Sequence, residues 1–136
     1  MAGAFLPLQA GINGQLAKQV SSVLAAALIS FLIGSLALLL LVVMQREVPS
    51  LPALKGLTWW HWSGGLLGAF FITTAAFSGP RIGALLFMTL VLAGQLGMAL
   101  LLDHFGWAGF RETPVSLGKI AGLLLIVAGI WFIRRG

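Results

Sequence analysis

The feature that most constrains this chain is an uninterrupted apolar run from Val23 to Met44, which contains no charged side chain. A helix needs about 20 apolar residues to cross the roughly 30 Å hydrocarbon core of a bilayer, and this run is long enough. Charged residues make up only 8% of the whole chain, against about 25% in an ordinary soluble domain. The chain is therefore expected to be an integral membrane protein.

Four further runs are also mainly apolar, although the last contains Lys119, and most of them end at basic residues. They predict an all-α, polytopic membrane protein with one transmembrane domain over residues 1–136 and five spans. The predicted spans cover residues 2–17, 23–44, 57–78, 82–102 and 114–134. Tryptophans mark several of their ends, as in an interfacial aromatic belt: Trp59, Trp60, Trp62, Trp107 and Trp131.

Breaker residues place the connections. The stretch Ser50–Pro52 predicts a loop after the second span, and Ser78–Arg81 predicts a break between the third and fourth spans. The first span is the shortest, and Pro7 is expected to interrupt or kink it. An interfacial or re-entrant segment is the alternative for this part of the chain.

The basic residues are balanced across these five spans. One side of the membrane would hold four of the eight: Arg46, Lys55, Arg111 and Lys119. The other would hold Lys18, Arg81, Arg134 and Arg135. An excess of Lys and Arg normally fixes the cytoplasmic side. Its absence predicts insertion in both orientations and an antiparallel homodimer of ten helices, with a two-fold axis in the membrane plane. A bias set by loop length or by a missing partner is the other interpretation.

Composition excludes several classes of function. The chain has no cysteine, two histidines and three acidic residues, so we expect no disulfide, metal site or cofactor. No nucleophile–base pair or phosphate loop is present, which argues against an enzyme. The formal charge of +5 comes from residues placed to meet lipid headgroups, not nucleic acid. The N-terminus lacks a basic region typical of cleaved signals, so we expect a multi-pass protein of the bacterial inner membrane.

Polar residues within the spans are the candidate lining of a solute pathway, because each costs free energy unless it finds a partner. Gln9 and Asn13 are four residues apart on one helical face, and Gln95 lies in the middle of the fourth span. Weaker candidates in the third span are Thr73, Thr74 and Phe70. Hydrogen bonds that hold the helices together are the alternative role for the amides and threonines. Asp103 and His104 are the possible titrating groups, although both lie at a span end.

Glycines within the spans are expected to let helices pack closely, since small residues allow helix backbones to approach each other in lipid. The predicted packing positions are Gly64 and Gly68, Gly94 and Gly97, and Gly118 and Gly122.

Three stretches together resemble the YdcZ-like family of inner-membrane exporters, which carries a domain of unknown function. They are Leu6–Asn13, the Gly-Gly-Leu-Leu-Gly-Ala-Phe segment from Gly64, and Gly94-Gln95 followed by Asp103–Gly106. The last helix, Gly118–Arg135, is similar to one repeat of the drug/metabolite transporter superfamily. The resemblance implies a five-helix half-transporter that works as an antiparallel dimer or a pair.

Two departures limit what the resemblance implies. The first span is shorter than the family pattern. The small multidrug resistance relatives carry a central glutamate in their first helix, where this chain offers Gln9 and Asn13, so that proton-exchange mechanism does not carry over. The resulting hypothesis is a secondary exporter of an unidentified small solute, working by alternating access between two inverted copies. A channel and a non-transporting interaction subunit are the alternatives.

Overall fold

The computed structural model describes residues 2–136, and these residues form helices joined by short connections. The helices are α1 (Phe5–Gln19), α2 (Val23–Met44), α3 (Leu51–Lys55), α4 (Trp59–Ile82), α5 (Ala84–Phe105) and α6 (Leu117–Arg135). Short 3-10 turns cover Ala2–Ala4 and Trp107–Gly109. The predicted all-α class is confirmed.

Three of the helices, α2, α5 and α6, are long and apolar enough to cross a membrane. Helix α1 has 15 residues, and 15 residues rise only about 22 Å, which is short of the bilayer core. Helix α4 has 24 residues, but polar and small residues at both of its ends lower its apolarity. The structure thus supports three spans by length and composition, and the count of five stays a prediction.

The chain divides into two compact units, Met1–Arg81 and Ile82–Gly136. In the first unit α1 packs along α2 through small residues. Ala10, Gly14 and Ala17 are buried on α1, and Ala26 and Ala27 on α2. The spacing of three to four residues on α1 keeps the buried positions on one stripe, and small residues there let neighbouring helix backbones come close.

Serine side-chain caps mark where three helices begin, and Ser116 Oγ accepts from the Lys119 N–H at 3.3 Å at the start of α6. Ser22 Oγ accepts a hydrogen bond from the Ala25 N–H at 3.1 Å, so α2 starts at Val23, as predicted. Ser50 Oγ accepts from the Ala53 N–H at 3.4 Å and begins α3. The prediction of a plain loop at Ser50–Pro52 is therefore wrong beyond Ser50, because serine followed by proline in the first turn also starts a helix.

The predicted break at Ser78–Arg81 is also misplaced. Helix α4 continues through Pro80 to Ile82, and the next residue, Gly83, has a positive φ of 86°. Proline inside a helix removes one backbone hydrogen bond without necessarily ending the helix. The left-handed φ, which glycine adopts without steric cost, is what ends α4.

Pro7 does not interrupt α1, contrary to the expectation from the sequence. It is the third residue of a helix that runs without a break from Phe5 to Gln19. The N–H groups of a first helical turn have no partner within the helix, so a proline at this position removes no hydrogen bond.

In the second unit α5 and α6 pack against each other, and the connection between them is held by polar contacts. Helix α5 ends at Gly106, which has a left-handed φ of 62°. The Thr113 N–H donates to the Asp103 carbonyl at 2.7 Å. Lys119 Nζ donates to Thr113 Oγ1 at 3.0 Å and to the Pro114 carbonyl at 3.2 Å. Lys119 therefore ties the connection to the first turn of α6.

Candidate functional site

Helices α1 and α4 meet where Gly14 lies against Ala76 and Pro80. A Cβ atom at position 14 would lie 3.4 Å from the Ala76 carbonyl oxygen and would overlap the Pro80 ring. Because Pro80 has no N–H, it cannot donate to the Ala76 carbonyl as a helical residue normally would. A glycine at position 14 leaves room for both the ring and this carbonyl.

A cavity of about 410 Å³ opens beside this contact. We call it the basic cavity. Its polar lining comes from Lys18, Ser21, Ser22 and Arg81. The remaining wall is formed by small or apolar residues: Gly14, Ala17, Val23, Ala76 and Pro80. The cavity thus lies where α1 ends, α2 begins and α4 approaches its end.

The charges around the basic cavity are all positive, and none of its lining residues is acidic. The Arg81 guanidinium carbon lies 3.6 Å from the centre of the Phe77 ring, and its Nη1 donates to the Phe77 carbonyl. The beginning of α2 adds to the positive potential, since the first N–H groups of a helix lack helical acceptors and carry partial positive charge. This arrangement favours an anionic group.

A second cavity, of about 300 Å³, lies within the Ile82–Gly136 unit. Its two charged lining residues are Asp103 and Lys119, of opposite sign. The rest of its lining is glycine and apolar side chains: Leu96, Ala99, Leu100, Gly118, Gly122, Leu123 and Ile126. With one charge of each sign, this cavity carries no clear preference for the charge of a ligand.

The two predicted pathway amides of α1 differ in burial. Asn13 is 5% exposed, whereas Gln9 is exposed. Four residues turn a helix by about 400°, so Gln9 lies roughly 40° away from Asn13 around the helix axis. The buried stripe of small residues on α1 is narrow, and this offset is enough to leave Gln9 outside it.

None of the predicted pathway residues, Asn13 and Gln9 included, lines either of these two cavities. Thr73 Oγ1 donates to the Ala69 carbonyl of its own helix at 2.8 Å, and Thr74 is exposed. Phe70 is 73% exposed, and Gln95 on α5 is exposed as well. Their role as pathway residues stays a prediction.

The two candidate titrating residues occupy different surroundings. Asp103 lines the second cavity. His104 Nδ1 is buried with no hydrogen-bond partner among residues 2–136, and its ring centre lies 4.6 Å from that of Phe105. The His104 ring thus has an aromatic neighbour in the next residue, while its Nδ1 has no polar one among the described residues.

Among the six predicted packing glycines, Gly68 has a neighbour from another helix: a Cβ there would meet Phe31 Cζ at 3.3 Å. Around Gly64, Gly94, Gly97 and Gly122 the space is open within 4 Å. Gly118 would meet only the nearby Ser116 Oγ, at 3.9 Å. Close helix packing at these five positions stays a prediction, because within residues 2–136 no other helix approaches them within 4 Å.

The sequence did not indicate the basic cavity as a site. In the sequence, Lys18 and Arg81 indicate only the topology, and Ser21 and Ser22 carry no signal of a site. The available signal was that a five-span topology puts Lys18 and Arg81 on the same side of the membrane. Their meeting at one cavity needs the packing of α1 against α4, which the sequence does not reveal.

Comparisons with known proteins confirm the resemblance drawn from the motifs. Residues 1–132 match the family described as "Putative inner membrane exporter, YdcZ". The chain is 27% identical over 135 residues to the inner membrane protein YdcZ of Escherichia coli K12, a match that covers 98% of this chain and 90% of the relative. No solved structure matches the chain.

Proposed function

The chain belongs to the YdcZ family of inner-membrane proteins, and we propose that it is a secondary exporter of a small solute. Two copies pack in opposite orientations, giving ten helices around a central pathway, and rocking of the two subunits exposes that pathway alternately to each side. The assignment to an exporter family and the apolar helices support transport. The dimer and the mechanism are parts of the proposal.

The observation that carries this proposal is how little of the chain is buried within itself. Among the described residues, no large side chain is fully buried, and the buried hydrophobic residues are six alanines and Phe87. Along α2, leucines such as Leu36, Leu38 and Leu40 are more than half exposed. A chain with so small an interior encloses no solute pathway alone, whereas a second copy supplies the missing wall.

The distribution of basic residues supports the inverted arrangement. With α1 and α4 as additional spans, each side of the membrane holds four of the eight basic residues. The basic cavity brings together Lys18 and Arg81, which this topology assigns to the same side. Helix α1 is short, and a spanning α1 is accommodated by local thinning of the bilayer and by Lys18 extending its stem towards the headgroups.

Among the proposed pathway residues, Asn13 has the most support. A buried amide in a membrane helix is costly without a partner, and this one lies on the stripe of α1 that faces other helices. Gln9 extends the polar surface by one turn. Gln95 is retained as the predicted contribution of α5.

The test is a screen of small metabolites on the purified protein, first by thermal shift and then by flux into proteoliposomes. An exporter predicts saturable flux and exchange of labelled against unlabelled solute. High unitary flux without a counter-substrate would favour a channel. A dimer whose melting temperature is unchanged by every solute, and that transports none of them, would favour an interaction subunit.

A further inference from the structure

We propose that the basic cavity binds the phosphate of an anionic phospholipid headgroup. The observation is the convergence of Lys18, Arg81, Ser21 and Ser22 on one cavity that no acidic residue lines. This proposal does not depend on transport, because an exporter, a channel and a non-transporting subunit are all surrounded by lipid.

Charge is the first argument. The chain contains only eight basic residues, and two of them line this one cavity. Each Lys or Arg near an anionic membrane surface is attracted to it electrostatically. Ser22 and Val23, at the start of α2, also line the cavity, and the beginning of a helix carries partial positive charge that favours an anion.

Hydrogen-bonding capacity is the second argument. Ser22 Oγ already accepts from the Ala25 N–H, which leaves its own O–H free to donate to an anion. Ser21, held at a φ of 54°, is exposed at the turn between α1 and α2. A phosphate accepts several hydrogen bonds, so two hydroxyls, an ammonium and a guanidinium form a donor set suited to it.

Depth is the third argument. Lys18 is in the last turn of α1, Ser22 is the cap of α2, and Arg81 is in the last turn of α4. Residues at helix ends lie at the level of lipid headgroups when the helices cross a membrane. The small, apolar part of the lining, including Ala17 and Val23, is suited to the glycerol and the first methylenes of a lipid.

Volume is the fourth argument. At about 410 Å³ the cavity is far larger than the roughly 10–15 Å³ that a cavity needs to hold one water molecule. It therefore has room for a headgroup phosphate together with its glycerol, and not only for a small inorganic ion.

The experiment uses the full chain in nanodiscs of phosphatidylcholine doped with phosphatidylglycerol. Bound lipids are counted by native mass spectrometry, and affinity is obtained by titrating the anionic lipid. We expect wild type to retain phosphatidylglycerol in preference to phosphatidylcholine. The double variant Lys18→Gln with Arg81→Gln should bind it at least about tenfold more weakly, since two headgroup-level charges are lost.

The matched control is Arg46→Gln with Lys55→Gln, which removes the same charge from residues that do not line the basic cavity. It should change the affinity by less than about twofold. The charge-conserving variants Lys18→Arg and Arg81→Lys should bind the lipid as wild type does. This comparison separates the effect of charge from an effect on folding. Binding by wild type should also weaken as salt concentration rises.

Three results would overturn the proposal. These are equal retention of the two lipids by wild type, equal losses in the two double variants, and displacement of the lipid by millimolar glycerol 3-phosphate. The last would assign the site to a soluble organophosphate instead of a lipid.

Discussion

Gly14 of α1 lies directly against the ring of Pro80 in α4. The other glycine of α1, Gly11, has no such neighbour within 4 Å among the described residues. The contact joins two helices whose ends also form the basic cavity. The proline ring is rigid, so the contact has little freedom to adjust.

A side chain at position 14 should therefore destabilise the protein. We expect Gly14→Ala to lower the free energy of unfolding by about 1–3 kcal/mol, the usual cost of overpacking a tight contact. Gly11→Ala is the control on the same helix, because a Cβ there meets nothing within 4 Å and alanine favours a helix. Thermal unfolding in detergent measures both, and equal melting temperatures would show that the α1–α4 contact is not tight in solution.

The pathway assignment predicts that Asn13→Ala and Gln9→Ala reduce solute flux by at least about tenfold, as expected when a hydrogen bond to a bound solute is lost. Gln15→Ala is the control, because Gln15 is exposed on a different side of α1. Size-exclusion chromatography of each variant checks assembly. Normal flux in both Asn13→Ala and Gln9→Ala would remove these residues from the pathway.

The open glycines predict positions of contact between subunits. Gly64→Leu should weaken the dimer, because leucine blocks close approach on a face that the single chain leaves open. Ala69→Leu, on a different face of α4, is the control. The measurement is the monomer–dimer ratio in detergent by analytical ultracentrifugation. A dimer unaffected by Gly64→Leu would place Gly64 against lipid.

The balance of charges predicts that orientation can be biased in either direction. Lys18→Gln with Arg81→Gln leaves four basic residues against two, and the side with four should become cytoplasmic. Arg46→Gln with Lys55→Gln should bias the population the opposite way. Reporter fusions at the C-terminus measure the ratio. A shift in the same direction for both variants, or no shift, would contradict a topology set by these charges.

The helices were largely predictable from the sequence, and their ends were less so. Val23 and Met44 were placed correctly because an uncharged run and the Ser22 cap coincide. The predicted break at Ser78–Arg81 is misplaced because proline lowers helix stability without specifying where the helix ends, and α4 ends just before Gly83, which has a positive φ. Likewise, Pro7 predicts a break only where the start of the helix is unknown, because a proline in the first turn, as here, does not interrupt a helix.

The site was less predictable than the fold. The burial of Asn13 follows from its spacing with Ala10 and Ala17, and the sequence pointed to this residue. The basic cavity needed the tertiary contact between Gly14 and Pro80, which brings residues 18 and 81 together. No local pattern encodes such a contact, because each of these residues has an ordinary role within its own segment.

The most direct test of the antiparallel dimer is the sidedness of the C-terminus in living cells. The chain has no cysteine, so Gly136→Cys introduces a single reactive thiol. A membrane-impermeant maleimide applied to intact cells should label about half of the molecules, and labelling after permeabilisation should reach all of them, because equal charges allow both orientations. Complete labelling or complete protection in intact cells would contradict the proposed arrangement of two inverted copies.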